Sequence, residues 1–197
     1  MAYHIYTTKG LILAGLPQGE SDKYYYIFTE DLGLVIASAK SVRKNESKLR
    51  FGLSDLALSE LSFIRGKNRW KITHAREIEN LHRAFAPDQP KERVVARILE
   101  MLQKLLTGEE KHTELFTLIE DSFQFLSHAK MLSSELRSFE LVLMLRILRM
   151  LGYGKEGRAY ESCVNTTAWS GHLLDDAVLH QKQMTEDINN SIEASQL

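Results

Sequence analysis

The sequence predicts an α+β protein, strands first and helices after, on three observations. The first 80 residues alternate β-branched and aromatic runs with turn residues. Near Phe85 the apolar period changes from that of a strand to that of a helix. Charge divides at the same place: residues 1–83 hold 13 Lys/Arg and 9 Asp/Glu, whereas residues 84–197 hold 12 and 17, so a net charge of −1 conceals two ends of opposite sign.

Five strands are expected, at about residues 9–16, 23–29, 34–40, 54–65 and 70–77. Pro17-Gln18-Gly19, Asp31-Leu32-Gly33 and Gly66-Lys67-Asn68 supply tight connections, and a long basic loop joins the third strand to the fourth. Sequential hairpins imply an antiparallel sheet. Five short strands in this length fit a small barrel of the OB-fold type, with an SH3-like barrel as the nearest competitor.

Helices follow. Asp88-Gln89-Pro90 reads as a helix start, and Val94, Val95, Ile98, Leu99, Met101, Leu102, Leu105 and Leu106 recur at helical spacing before Thr107-Gly108 stops them. A second helix is expected over 112–127 and a third over 134–151. The third is apolar around nearly its whole circumference, the pattern of a helix enclosed by neighbours. Gly152-Tyr153-Gly154 ends it, the polar run to Gly171 reads as loop, and a last helix is expected over 174–194 on a sparse apolar stripe. The expected domains are therefore 1–80, a nucleic-acid-binding barrel, and 81–197, a helical domain whose C-terminal part is short and poor in cysteine.

Composition narrows the classes. A hydrophobic content of 44% supports a real core. No apolar run reaches 18 residues and no secretion-type leader opens the chain, so a cytoplasmic protein without a membrane partner is expected. The single cysteine, Cys163, forms neither an internal disulfide nor a multi-cysteine zinc site by itself.

The strongest functional signal is the loop carrying Lys40, Arg43, Lys44, Lys48 and Arg50 against one acid, Glu46. Residues 34–76 hold 10 cations and 3 acids, the local footprint of a polyanion binder, although a solvated cationic face has the same composition. Beside it Tyr24, Tyr26 and Phe28 share one strand face, with Tyr25 and Ile27 on the other. Either face could fill the core, and aromatics on the exposed one could stack on bases. Trp70, between Arg69 and Lys71, is a further stacking candidate. No recognition helix is apparent, so binding through the phosphate backbone with little sequence preference is expected.

Catalysis and metal binding are weakly supported. Cys163, His172 and His180 lack paired-ligand spacing, and His172 with Asp175-Asp176 reads more simply as an acidic first helical turn than as a hydrolytic cluster. No phosphate loop, nucleophile elbow or HExxH sequence occurs. A protein without turnover and without cofactor is expected. Arg137, Arg146 and Arg149 interrupt the third helix. They could border a groove for an acidic, hydrophobic peptide, or pair with Glu135 or Glu140.

Two segments resemble the RecO family of bacterial recombination mediators. GESD at 19–22, IFTEDLGLV at 27–35, ASAKSVRK at 37–44 and the following KLR are similar to the family's N-terminal domain. LRSFELVLMLRILRMLGYG at 136–154 is similar to its helix ending in LGYG. The resemblance implies an OB-fold, a helical domain, and an activity of binding single- and double-stranded DNA, annealing complementary strands and assisting RecA loading. Implied partners are RecR and the acidic C-terminal tail of the single-stranded-DNA-binding protein. By position it implies that Lys40, Arg43, Lys44, Lys48 and Arg50 contact DNA and that Arg137 holds the tail. The chain departs from the family's pattern in keeping only Cys163 of a four-cysteine zinc module, which implies no zinc; in its short length; and in Gly52-Leu53-Ser54-Asp55-Leu56, which stands where relatives carry a Gln-Pro-Phe version. The alternative is a general OB-fold adaptor for single-stranded nucleic acid with no part in recombination.

Overall fold

The computed structural model describes residues 4–67 and 69–194. Five strands come first: β1 (Ile5–Gln18), β2 (Asp22–Thr29), β3 (Gly33–Ala39), β4 (Ala57–Arg65) and β5 (Trp70–Asn80). Helices α1 (Leu81–Phe85), α2 (Gln89–Leu105), α3 (Thr113–His128), α4 (Ser133–Met150), α5 (Glu161–Val164), α6 (Gly171–Val178) and α7 (Gln181–Ala194) follow. The class is α+β. The chain forms two compact units: residues through Glu92 with Leu106–Phe116, and Arg93–Leu105 with everything from Thr117 onward.

In the first unit the strands close in the order β1-β2-β3-β5-β4, the arrangement of an OB-fold. β1 is longer than its expected 9–16 because it serves two neighbours. Ile5 to Leu11 pairs with β4, and Gly10 to Gln18 pairs with β2, with a register shift between Ile12 and Ala14 where the strand bends from one partner to the other. Closure needs only two parallel pairs, Ala37 with Trp70 and Ser38 with Lys71. Ile12, Tyr25, Ile27, Val35, Leu61, Phe63, Trp70 and Ile72 fill the interior.

The β2–β3 turn falls where expected. Thr29 Oγ1 donates to the Gly33 carbonyl and accepts from the Leu32 amide. Gly33 has φ +69°, and a Cβ there would stand 2.1 Å from the Glu110 carbonyl oxygen, so both backbone conformation and space require glycine.

The basic connection between β3 and β4 is a folded segment. Amides of Lys44, Ser47 and Arg50 bond to the carbonyls three residues earlier, stepping the chain through successive turns into a 3-10 turn at Phe51–Leu53. Val42 and Leu53 enter the barrel core, with Leu49 packed against it. Those three anchors turn the intervening cations outward.

In the second unit α4 packs against α5, α6 and α7. Nearly every turn of it is buried, as the absence of a polar face predicts, and two of its charged side chains are buried as well. Glu140 lies between two arginines, accepting from Arg97 Nη2 at 2.9 Å, from Arg97 Nε, and from Arg137 Nη1 at 3.1 Å. Arg146 donates to the carbonyls of Cys163, Thr167 and Ala168 while its guanidinium stacks 4.1 Å from the Trp169 ring.

Three sequence expectations need correction here. The last helix is two helices: Leu179 and His180 revert to bonds of three-residue span, and this tighter turn, with no Gly or Pro to mark it, re-aims the chain. The polar run before Gly171 contains α5, and α1 precedes the expected first helix. Among the described residues no helix is long and apolar enough to cross a membrane, and no cluster of three or more His, Cys, Asp or Glu could hold a metal ion.

Candidate nucleic-acid interface

Strand alternation decides what the barrel shows to solvent. Tyr25 and Ile27 point inward and are buried, so Tyr24, Tyr26 and Phe28 point outward. Phe28 is then covered by Phe116, 5.4 Å between centroids, while Tyr24 and Tyr26 stay half-buried. Burial also pushes the Tyr25 hydroxyl up to about 12, helped by the carboxylate of Asp55.

The two outward tyrosines line a cleft of about 550 Å³ together with Leu16, Leu34 and Ile36. Leu16 and Ile36 are exposed at its edge. Arg65, Lys67 and Arg69 supply its positive side, and Arg69 lies 4.7 Å over the Tyr24 ring. Over the ring the guanidinium is within cation–π range of the aromatic surface, and its planar set of N–H donors suits an anion.

A second concavity of about 800 Å³ continues from the first through Tyr24, Gly66, Lys67 and Arg69. Gln18 at the end of β1 and Gly19 of the β1–β2 loop line one part of it, and Lys40 and Lys71 complete its cationic lining. The two loops that flank this surface, β1–β2 and β4–β5, are those with which OB-folds hold oligonucleotides. Lys40, Lys67 and Lys71 form no ion pair among the described residues, so their charges are unspent.

The expected site residues fall into three groups. Lys40, Arg69 and Lys71 converge on this surface, joined by Lys67, whose place in a turn gives it no signal of its own beyond the cationic run it lies in. Arg43, Lys44, Lys48 and Arg50 lie exposed on the β3–β4 segment. Arg43 braces the β1–β2 loop, its Nη1 donating to the Gly19 carbonyl at 3.1 Å and its amide to the Ser21 carbonyl at 3.0 Å, and Arg50 Nη1 donates to Asn45 Oδ1.

Trp70 forms the third group and corrects an expectation. It is only 4% exposed, packs near Phe63 and Tyr6, and donates its indole N–H to Glu109 Oε1 at 2.8 Å. Its ring is part of the barrel wall and core and offers no face for stacking. The alternation Arg69-Trp70-Lys71-Ile72 carried that information, since charged residues on both sides of Trp70 place it inward. Glu109, which also pairs with Arg65 at 3.4 Å, had no local signal, because it arrives from a segment 39 residues along the chain from Trp70.

In the second unit Arg137, expected to hold a partner peptide, donates to Glu140 and to Thr185 Oγ1 at 3.4 Å. Its pairing with Glu140 is one of the two alternatives the sequence left open. A cleft of about 240 Å³ is lined by Met101, Leu105, Met144 and Ile192 with Arg97, Lys104 and Glu100 at its edge. His172 and Asp175 are exposed on α6, while Asp176 faces Cys163, whose thiol lies 3.4 Å away. Burial first, and Asp176 second, push that thiol above its usual range, which makes it a poor nucleophile.

Comparison with known proteins agrees with the architecture. Residues 1–81 match the family model described as Recombination protein O N terminal, and residues 94–168 match Recombination protein O C terminal. A protein of Clostridium novyi (strain NT) named DNA repair protein RecO is 31% identical over 160 residues, 81% of this chain and 59% of the relative. Proteins of the same name from Gloeothece citriformis (strain PCC 7424) and Dehalococcoides mccartyi (strain CBDB1) are 30% identical over 117 residues and 42% identical over 77 residues. These cover 59% of this chain and 41% of the relative, and 39% and 30%, respectively. The chain thus spans about 60% of the length of relatives such as the clostridial ones. With the barrel matched by one model of the family and most of the helical region by the other, the chain belongs to the RecO family.

Proposed function

We propose that the chain is a DNA-binding recombination mediator of repair, which holds single- and double-stranded DNA, anneals complementary strands and assists RecA loading, without catalytic turnover. The observation that carries this reading is the convergence of Lys40, Lys67, Arg69 and Lys71 from three parts of the barrel around the outward face of Tyr24. Four cations there screen phosphates, while Tyr24, Tyr26, Leu16 and Ile36 offer bases a surface that a paired helix cannot use. The names of the relatives support a role in DNA repair. Strand pairing follows physically if the cations lower the repulsion between two phosphate backbones.

RecR and the C-terminal tail of the single-stranded-DNA-binding protein are the proposed protein partners. For the tail, the apolar cleft edged by Arg97 and Lys104 has the matching apolar lining, and its cations would take part by exchanging carboxylates, Arg97 and Arg137 from Glu140 and Lys104 from Glu100.

Salt dependence of binding tests the site. Four phosphate contacts on a single strand predict a slope of log K against log salt of roughly −3. The K40A/K67A/K71A variant should bind a labelled single-stranded oligonucleotide more weakly and with a slope smaller by about 2. An unchanged slope removes this surface from the site. Annealing of complementary strands coated with their single-strand-binding protein then separates the mediator from a general OB-fold adaptor, which would bind the strands without pairing them.

A further inference from the structure

We propose that Phe51 is a base-stacking residue of a second nucleic-acid contact, on the β3–β4 segment and distinct from the tyrosine-lined cleft. Among the described residues it is the most exposed aromatic side chain, at 77%. An isolated exposed apolar residue on a surface is ordinary. Phe51 differs in what holds it and in what surrounds it.

Its backbone is fixed at three points. The Phe51 carbonyl accepts from Ser54 Oγ at 2.9 Å, and the next carbonyl, of Gly52, accepts from the buried Ser59 Oγ at 2.8 Å. Gly52 lies so close to β5 that a Cβ would meet the Ala75 carbonyl group at 2.6 Å, and Leu53 is buried in the core. The ring therefore projects from a braced turn, so little backbone freedom remains to be lost when something stacks on it.

Its surroundings select the occupant. Arg43, Lys44, Lys48 and Arg50 precede it on the same exposed segment, against the single acid Glu46. An apolar protein surface would have to desolvate those cations. A nucleic-acid strand supplies both phosphates for the cations and a flat π-face for the ring. An unpaired base is required, because bases within a duplex are already stacked on each other. A strand on this segment beside one in the tyrosine cleft would give a single molecule two separate strand contacts, which deepens the annealing role and rests on the nucleic-acid binding proposed above.

The test uses the full chain and two labelled oligonucleotides of equal length, oligo-dT and the same backbone without bases. Phe51→Ala should weaken oligo-dT binding by about 5- to 150-fold, leave binding of the abasic strand unchanged and leave the salt slope unchanged. Phe51→Trp should restore affinity, and the fluorescence gained over the wild type should be quenched by oligo-dT. Phe51→Leu, which keeps bulk without a π-face, should restore less and guards against a trivial folding effect. Equal affinity of F51A and wild type for oligo-dT would overturn the proposal and leave Phe51 as a protein-docking residue. Equal losses on the two strands would also overturn it. Should the wild type fail to bind oligo-dT at all, the nucleic-acid reading itself falls. Loss in the K40A/K67A/K71A variant without loss in F51A would remove only the second contact.

Discussion

Replacing Arg146 with methionine is the most demanding test of how the second unit is held together. The side chain is 2% exposed and has no carboxylate partner among the described residues, so it is a buried charge satisfied by carbonyl oxygens and one aromatic ring. Burial lowers its pKa from the usual guanidinium range to about 10, so the charge costs on the order of 3 kcal/mol to keep in place. Its four donations to three carbonyls offset that. Charged donors contribute about 1.5–3 kcal/mol each, and allowing for shared acceptors and the exposure of Thr167 and Ala168 gives about 6 kcal/mol, with about 1 more from Trp169. Arg146→Met should therefore destabilise the unit by about 3–4 kcal/mol and lower its melting temperature by roughly 12–30 °C. Arg146→Lys keeps the charge but loses the planar fork and should fall between. Urea unfolding followed by far-UV circular dichroism, with Trp169 fluorescence in a Trp70→Phe background, reads the effect in the right unit. A methionine variant as stable as the wild type, or more so, would refute the reasoning, since desolvation would then outweigh the carbonyl bonds.

Two further outcomes follow from the same physics. Glu140→Gln should cost about 2–4 kcal/mol in urea unfolding, because it leaves Arg97 and Arg137 facing a neutral amide; their own partial exposure keeps the loss below that of a fully buried pair. Stability of the barrel should also fall as pH rises from about 10 to about 12. Tyr25 stays neutral in the folded protein up to about 12 but ionises near 10 when unfolded, so the unfolded state loses its proton first. The loss reaches about 2–3 kcal/mol as pH passes about 12, and Tyr25→Phe should flatten that part of the pH profile relative to wild type.

Much of the barrel was legible because period-two alternation and turn chemistry are local. Asp31-Leu32-Gly33 turns where the sequence placed it, and the expected β2 and β3 differ from the observed strands by a single residue at each differing end. The helices of the second unit were legible in α4, whose apolar circumference announces enclosure, and not in the break between α6 and α7, where no glycine or proline signals a change of direction. The candidate site was legible only as a cationic region. Lys40 and Lys71 are 31 positions apart, and the parallel pairing of β3 with β5 brings the end of β3, which Lys40 follows, beside the strand of Lys71. Trp70 is buried, against the expectation of an exposed ring, because in a strand charged neighbours on both sides mark the opposite face. Phe51 carries no local signal, because its exposure depends on anchors at Val42, Leu49 and Leu53 that turn the intervening residues outward.

By itself the sequence determined the order of strands and helices, the excess of positive charge in the strand-rich part, and the membership that two matched segments carry. Those are properties of neighbours along the chain: rotamer and backbone preference, hydrophobic period and the count of charges. Tertiary structure alone decided which tyrosines face outward, that Glu109 would take the Trp70 indole, and that four cations from separate strands and loops would share one surface. Barrel closure sets these, because it fixes which face of each strand is inside, and no residue encodes that choice without its partners across the sheet.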